Sequence, residues 1–184
     1  MRNPEDFADA GPPVLAMGAG IWQAADAALT RPANATAYAA NKAVGSSSSC
    51  LFTFSDFFRR KGGSALLLGA KLEVYKSGGI SAPSGFAVRA WLYAGAPTSP
   101  PASDQADFLL NHANAAVRLG YLDFSTAVSG ASGSDCFEAY AEPTLARTLK
   151  APADVDDLCM VIHATAAWTP TSGSVWMPYV QALE

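Results

Sequence analysis

The sequence predicts an all-β fold, a β-sandwich or jelly roll with an extended N-terminal arm and one short helix. Three observations predict it. Apolar residues alternate with polar ones over most of the chain after Leu51. Gly, Pro, Ser and Asp clusters interrupt that alternation at short intervals. Only one stretch after the arm carries helix-start signals.

Residues 1–28 read as an arm, and 29–184 as the β-sandwich domain. Pro4, Gly11, Pro12, Pro13, Gly18 and Gly20 break any long regular element in the arm. Residues 21–28, IWQAADAA, have room for a short helical turn. Ile21 and Trp22 are apolar anchors that would dock the arm, either on its own domain or on a neighbour.

The strands follow in order. LFTFSDF from Leu51 puts Phe52 and Phe54 on one face and Thr53 and Ser55 on the other. In 64–76, Leu66, Leu68, Ala70, Leu72 and Val74 are expected to share a buried face, opposite Lys71 and Glu73. FAVRAWLYA (86–94) sets Phe86, Val88, Ala90 and Leu92 against Arg89, Trp91 and Tyr93. That large amphipathic row suits a face that meets a partner, and equally a face covered by a loop.

Next comes a Pro-rich loop. Ser103 is the expected N-cap of the short helix, with Asp104 and Asp107 in its first turn, where carboxylates favour the helix dipole. Strand patterns resume at 118–127, 135–142, 144–150 and 157–168, and 174–183 closes the chain. Pro178 lacks a donor N–H, so the last strand is expected at an edge, at a bulge, or only partly paired there.

Charged residues make up 15% of the 184, against an ordinary share of about 25%. Obligate interfaces lose charge, so the deficit points to an assembly surface as well as to a Ser- and Ala-rich exterior. The net charge of −4 argues against a general nucleic-acid binder, which would show a basic face. The one basic cluster, Arg59-Arg60-Lys61, reads as a solvated turn. No apolar run reaches the roughly 20 residues of a membrane helix, so no membrane partner is expected.

Catalytic and metal patterns are sparse. The three cysteines, Cys50, Cys136 and Cys159, match no metal spacing and suggest no disulfide framework. Gly130-Ala131-Ser132-Gly133-Ser134 falls short of a nucleophile elbow. Asp154, Asp156 and Asp157 crowd one loop without the spacing of a calcium site. His163 alternates with Val161 and Thr165 and reads as a hydrogen-bonded structural histidine. Trp91, Tyr93, Trp168 and Trp176 are candidate sugar-stacking residues, with packing as the competing role. No catalytic residue, cofactor or metal is assigned.

Four ordered segments carry a resemblance: "LTRPANATAYAANKAVG", "FAVRAWLYAGAPTSPPASDQADF", "LGYLDF" and "HATAAWTPTSGSVWMPYVQAL". With an Arg-Pro–Thr–Ala-Tyr segment ahead of a β-domain and a "YTPTS"-like turn before the last strand, the chain resembles auxiliary virion proteins of tailed bacteriophages. The turn reads Trp168-Thr169-Pro170-Thr171-Ser172 here. The resemblance implies a head decoration, cement or minor capsid protein on the capsid surface. Its implied partners are the major capsid protein and copies of itself, as a homotrimer. Ile21, Trp22, Arg31, Tyr38, Trp91 and Tyr93 are the expected interface residues. In this reading Arg31 bonds carbonyls or a carboxylate, Pro32 keeps the lead-in extended, and Tyr38 anchors it. A tail or fibre module that binds surface glycans is the alternative, and a β-sandwich hydrolase the third.

Overall fold

Alternation of apolar residues builds most of the strands. The computed structural model describes residues 21–125, 127–129, 134–141, 143 and 147–183. The expectations for residues 1–20 and for the Gly130–Gly133 segment lie outside these. The strands are β1 (Ile21–Ala24), β2 (Leu29–Thr30), β3 (Ala43–Val44), β4 (Leu51–Phe54), β5 (Ser64–Tyr75) and β6 (Val88–Ala94). They continue as β7 (Arg118–Phe124), β8 (Ala127–Ser129), β9 (Cys136–Ala141), β10 (Arg147–Lys150), β11 (Leu158–Ala164) and β12 (Val175–Leu183).

These strands form two antiparallel sheets. One runs β1-β12-β5-β9-β8, with β2 also on β12 and β10 also on β5. The other runs β3-β11-β6-β7, with β4 also on β11. Take β1 with β2, β3 with β4, and β8 to β10 as single positions, and number the positions along the chain. The first sheet then reads 1-8-3-6 and the second 2-7-4-5, which is jelly-roll order. Between the sheets lie Phe52, Phe54, Leu67, Leu72, Val74, Leu92, Phe124, Phe137, Met160, Ile162 and Trp176, all buried.

Two side-chain contacts close the edges of the sandwich. At one, the Ser55 amide and hydroxyl donate to the Asp26 carboxylate at 3.1 and 2.6 Å, and the Asp26 amide donates to the Thr53 carbonyl at 2.7 Å. At the other, the Arg147 guanidinium lies against Gly120, filling the space that a Cβ would need.

Several expectations are corrected. Residues 21–24 are a strand on β12 of the same chain, not a helical turn, because their backbone groups pair with Tyr179–Ala182. Leu66 and Leu68 do not share the buried face of Leu72. The register steps from Gln181↔Gly69 to Ala182↔Leu67, so Leu68 is an extra residue. One inserted residue reverses the parity of the strand. Ala65 and Leu67 therefore point inward before the bulge, and Ala70, Leu72 and Val74 after it.

The helix expected after Ser103 is absent, and a 3-10 turn forms instead at His112–Asn114, capped by the Asn111 side chain, which accepts from the Ala113 amide at 2.9 Å. Pro178 lies within the sheet, with only partial pairing at its position. Its carbonyl accepts from Ala25 at 3.0 Å, in the break between the β1 and β2 pairings. A strand residue's N–H and C=O point the same way, so the missing donor falls in that break.

Candidate interaction surface

Gly95 to Val117, the long connection between β6 and β7, supplies the most distinctive surface feature. Loops of this length in a compact domain are commonly functional. Backbone bonds to Asn41, Ala43 and Ser46 hold it, and four side-chain attachments stand out. Asp104 is buried and paired with buried Arg31 at 3.0 Å. The same carboxylate accepts from the Tyr38 hydroxyl and from the Gly45 amide at 3.1 Å. Lys42 holds Asp107 at 2.7 Å. Asn114 ties off the loop at Thr98, accepting from its amide at 2.7 Å and donating to its carbonyl at 3.1 Å.

Arg31 completes this knot. Its guanidinium donates to the Tyr38 hydroxyl at 2.7 Å and to the Asn34 and Thr171 carbonyls at 3.4 and 3.3 Å. The lead-in, the loop and the Thr169–Ser172 turn thus meet at one buried cation. Burial and the bond to Asp104 push the Tyr38 hydroxyl well above its ordinary pKa.

The fourth attachment is aromatic. On the outer face of the second sheet, Trp91 lies opposite both Val161 and Tyr121, and Arg89 opposite both His163 and Asp123. Phe108 covers part of this face. Its ring stacks on His163 at 4.5 Å and on Trp91 at 6.2 Å, and its amide donates to the Asn41 carbonyl at 2.8 Å. β11 is consequently buried on both faces.

Between these attachments the loop pushes two apolar side chains into solvent. Leu109 is 79% exposed and Leu110 50%. Phe108 is stacked just before them, and just after them the Asn111 carbonyl accepts from Arg118 at 2.6 Å. Arg118 also lies over the Trp91 ring at 5.6 Å. Tyr121, 41% exposed, packs on Trp91 at 5.0 Å, with the Arg89 guanidinium 4.0 Å above its ring. The result is an apolar tip beside a half-open aromatic face, on a braced backbone. Exposed anchors that need no ordering on binding are favourable protein contacts.

The opposite outer face combines an ion-pair cluster with the exposed side chains of Trp22, Tyr75, Val128 and Tyr140. Lys71 bridges Glu138 at 2.8 Å and Glu73 at 3.5 Å, and its ammonium lies 4.4 Å from the Tyr179 ring centre. Burial works against the Lys71 charge, but the bond to Glu138 and the charges of Glu138 and Glu73 together outweigh it and raise its pKa. The same bond lowers that of Glu138. Exposed Trp22 lies on the first sheet, its ring edge near Gly69.

The expected interface residues separate. Arg31, Tyr38 and Tyr93 are buried inside the chain itself, so their packing is internal. Arg31 does bond two carbonyls and a carboxylate, all of its own chain. Trp91 is half-buried under Phe108, so the covering-loop alternative is the one seen. Trp22 is exposed, and Ile21 pairs by its backbone with Ala182. Of the sugar-stacking candidates, Tyr93, Trp168 and Trp176 are buried and offer no ring face to a sugar. Leu109 and Leu110 fall in the stretch where the sequence predicts the short helix, and nothing in the sequence marks them as exposed.

The Asp157 carboxylate accepts from the Asp56 amide at 3.1 Å. Among the described residues, no three His, Cys, Asp or Glu side chains gather to hold a metal ion, and no helix is long and apolar enough to cross a membrane. No family model, curated protein or solved structure matches the chain.

Proposed function

We propose that this chain is a structural protein of a tailed-bacteriophage virion, a decoration or cement protein that binds the capsid shell and copies of itself. The observation that carries the reading is the Leu109–Leu110 tip, held out from a loop with four side-chain attachments. Low overall charge, the jelly-roll order and the sequence resemblance support it. Jelly rolls serve capsids and also lectins, so the fold itself is an analogy. A contact of this kind is repeated over a shell, and avidity makes many modest contacts strong together.

Purified particles from the genome that encodes this chain test the reading. Mass spectrometry should find the chain in many copies, and immunogold should decorate the heads. Absence of the chain from particles would overturn the proposal. Gold on tails or fibres would favour the glycan-binding module, for which Trp22, Tyr75 and Tyr140 are exposed rings on the first sheet.

A further inference from the structure

The two nitrogens of His163 have partners that fix its protonation. Nδ1 lies 3.1 Å from the Ala164 carbonyl, which can only accept, so Nδ1 carries the proton. Nε2 lies 3.3 Å from the Trp91 indole nitrogen, which can only donate, so Nε2 is bare. The ring is therefore neutral, with Phe108 stacked 7° from parallel on its face. A second proton, on Nε2, would set two donors against each other beneath the cover.

We propose that His163 is an acid-sensitive latch: proton uptake at Nε2 breaks its bond to Trp91, frees Phe108, and loosens the loop that presents Leu109 and Leu110. The inference rests on the proposed function only for what that tip meets. The latch itself belongs to the isolated chain.

The charges around the ring agree with a neutral resting state. From β6, Arg89 lies directly opposite His163. Asp123 of β7 favours the charged ring, but it is spent on Arg89 in two bonds of 2.7 and 2.9 Å. From the β3 side, the Lys42 carbonyl accepts from the Ala164 amide at 2.9 Å, while the Lys42 ammonium is held by Asp107 of the loop. Arg118 adds a second cation over Trp91. Burial, aided by Arg89, lowers the His163 pKa below its ordinary value, and the bond to Ala164 and the charge of Asp123 only partly offset this.

The sign follows from linkage. The closed form holds His163 neutral, whereas an opened loop lets it titrate near its ordinary value of about 6.5. Closure is thus at full strength above that pH. It weakens as pH falls from there toward the lowered pKa of the closed form, because the open form takes up the proton.

The test uses the purified full chain. Imidazole NMR follows the titration of His163, and hydrogen exchange at the Phe108 amide, corrected for intrinsic rates, follows the loop. His112→Asn controls for the other histidine. In wild type and in His112→Asn, protection of Phe108 should fall by up to about tenfold per pH unit below pH 6.5. In His163→Gln that acid dependence should vanish. In Trp91→Phe, which takes away the opposing donor, His163 should titrate at higher pH. Acid-independent protection in wild type, or the same acid loss in His163→Gln, overturns the latch. Should His163→Gln fail to fold, an unchanged His163 titration in Trp91→Phe overturns it.

Discussion

Arg31 and Asp104, 73 residues apart in the chain, form a buried ion pair 3.0 Å long. Removing one partner of such a pair leaves an uncompensated charge in the interior. Asp104→Ala should therefore lower the unfolding free energy by about 3–5 kcal/mol. The double variant Arg31→Met/Asp104→Leu should lose less than Asp104→Ala, because it leaves no orphan charge. Urea unfolding of both variants against wild type measures the difference.

Tyr38 shares that carboxylate, and its raised pKa has a definite sign. The folded state keeps the phenol protonated where the unfolded chain would ionise, above about pH 10. The Tyr38 contribution is complete below that pH and is lost progressively as pH rises above it toward the raised pKa of the folded state. Unfolding free energy measured from pH 8 to 11 should fall above pH 10 in wild type. The fall should be shallower in Tyr38→Phe, and equal slopes would contradict the assignment.

Gly120 has φ +135°, and a Cβ there would sit 1.9 Å from Arg147 Nη1. Gly120→Ala is strained in its backbone, and it also makes the guanidinium, the far end of a flexible side chain, swing aside. It should cost about 1–3 kcal/mol. Adding Arg147→Ala relieves the contact but not the backbone, so it should restore only part of the loss. Thermal melts of the single and double variants separate the two effects.

The three thiols differ in access and in ionisation. Burial pushes Cys50 up to about 12 and Cys159 up to about 11. Cys136, half-buried at the start of β9, is raised as well, by burial and by the charges of Asp135, Glu73 and Glu138, but its side chain can be reached from solvent. Thiolates are the reactive form. With a disulfide reagent at pH 8, the folded chain should release one equivalent, from Cys136, and the denatured chain three.

Local pattern carried the strands and failed where distant partners decide. Phe52, Phe54, Leu72 and Val74 face inward as their alternation predicts, because period two and burial agree there. The bulge at Leu68 was not legible, since it exists only in the register of β5 against β12. Ser103, Asp104 and Asp107 look locally like a helix start. Arg31 draws Asp104 into the interior instead, and Lys42 takes Asp107. The apolar tip has the same origin. Once that helix is gone, Leu109 and Leu110 have no interior to face.

Binding of the purified chain to capsid shells lacking it tests the central claim most directly. Leu109→Ser/Leu110→Ser should fold with unchanged stability to within about 0.5 kcal/mol, since both side chains are exposed. Wild type should bind saturably and the double variant should not bind. Equal binding by both, or none by wild type, would contradict it.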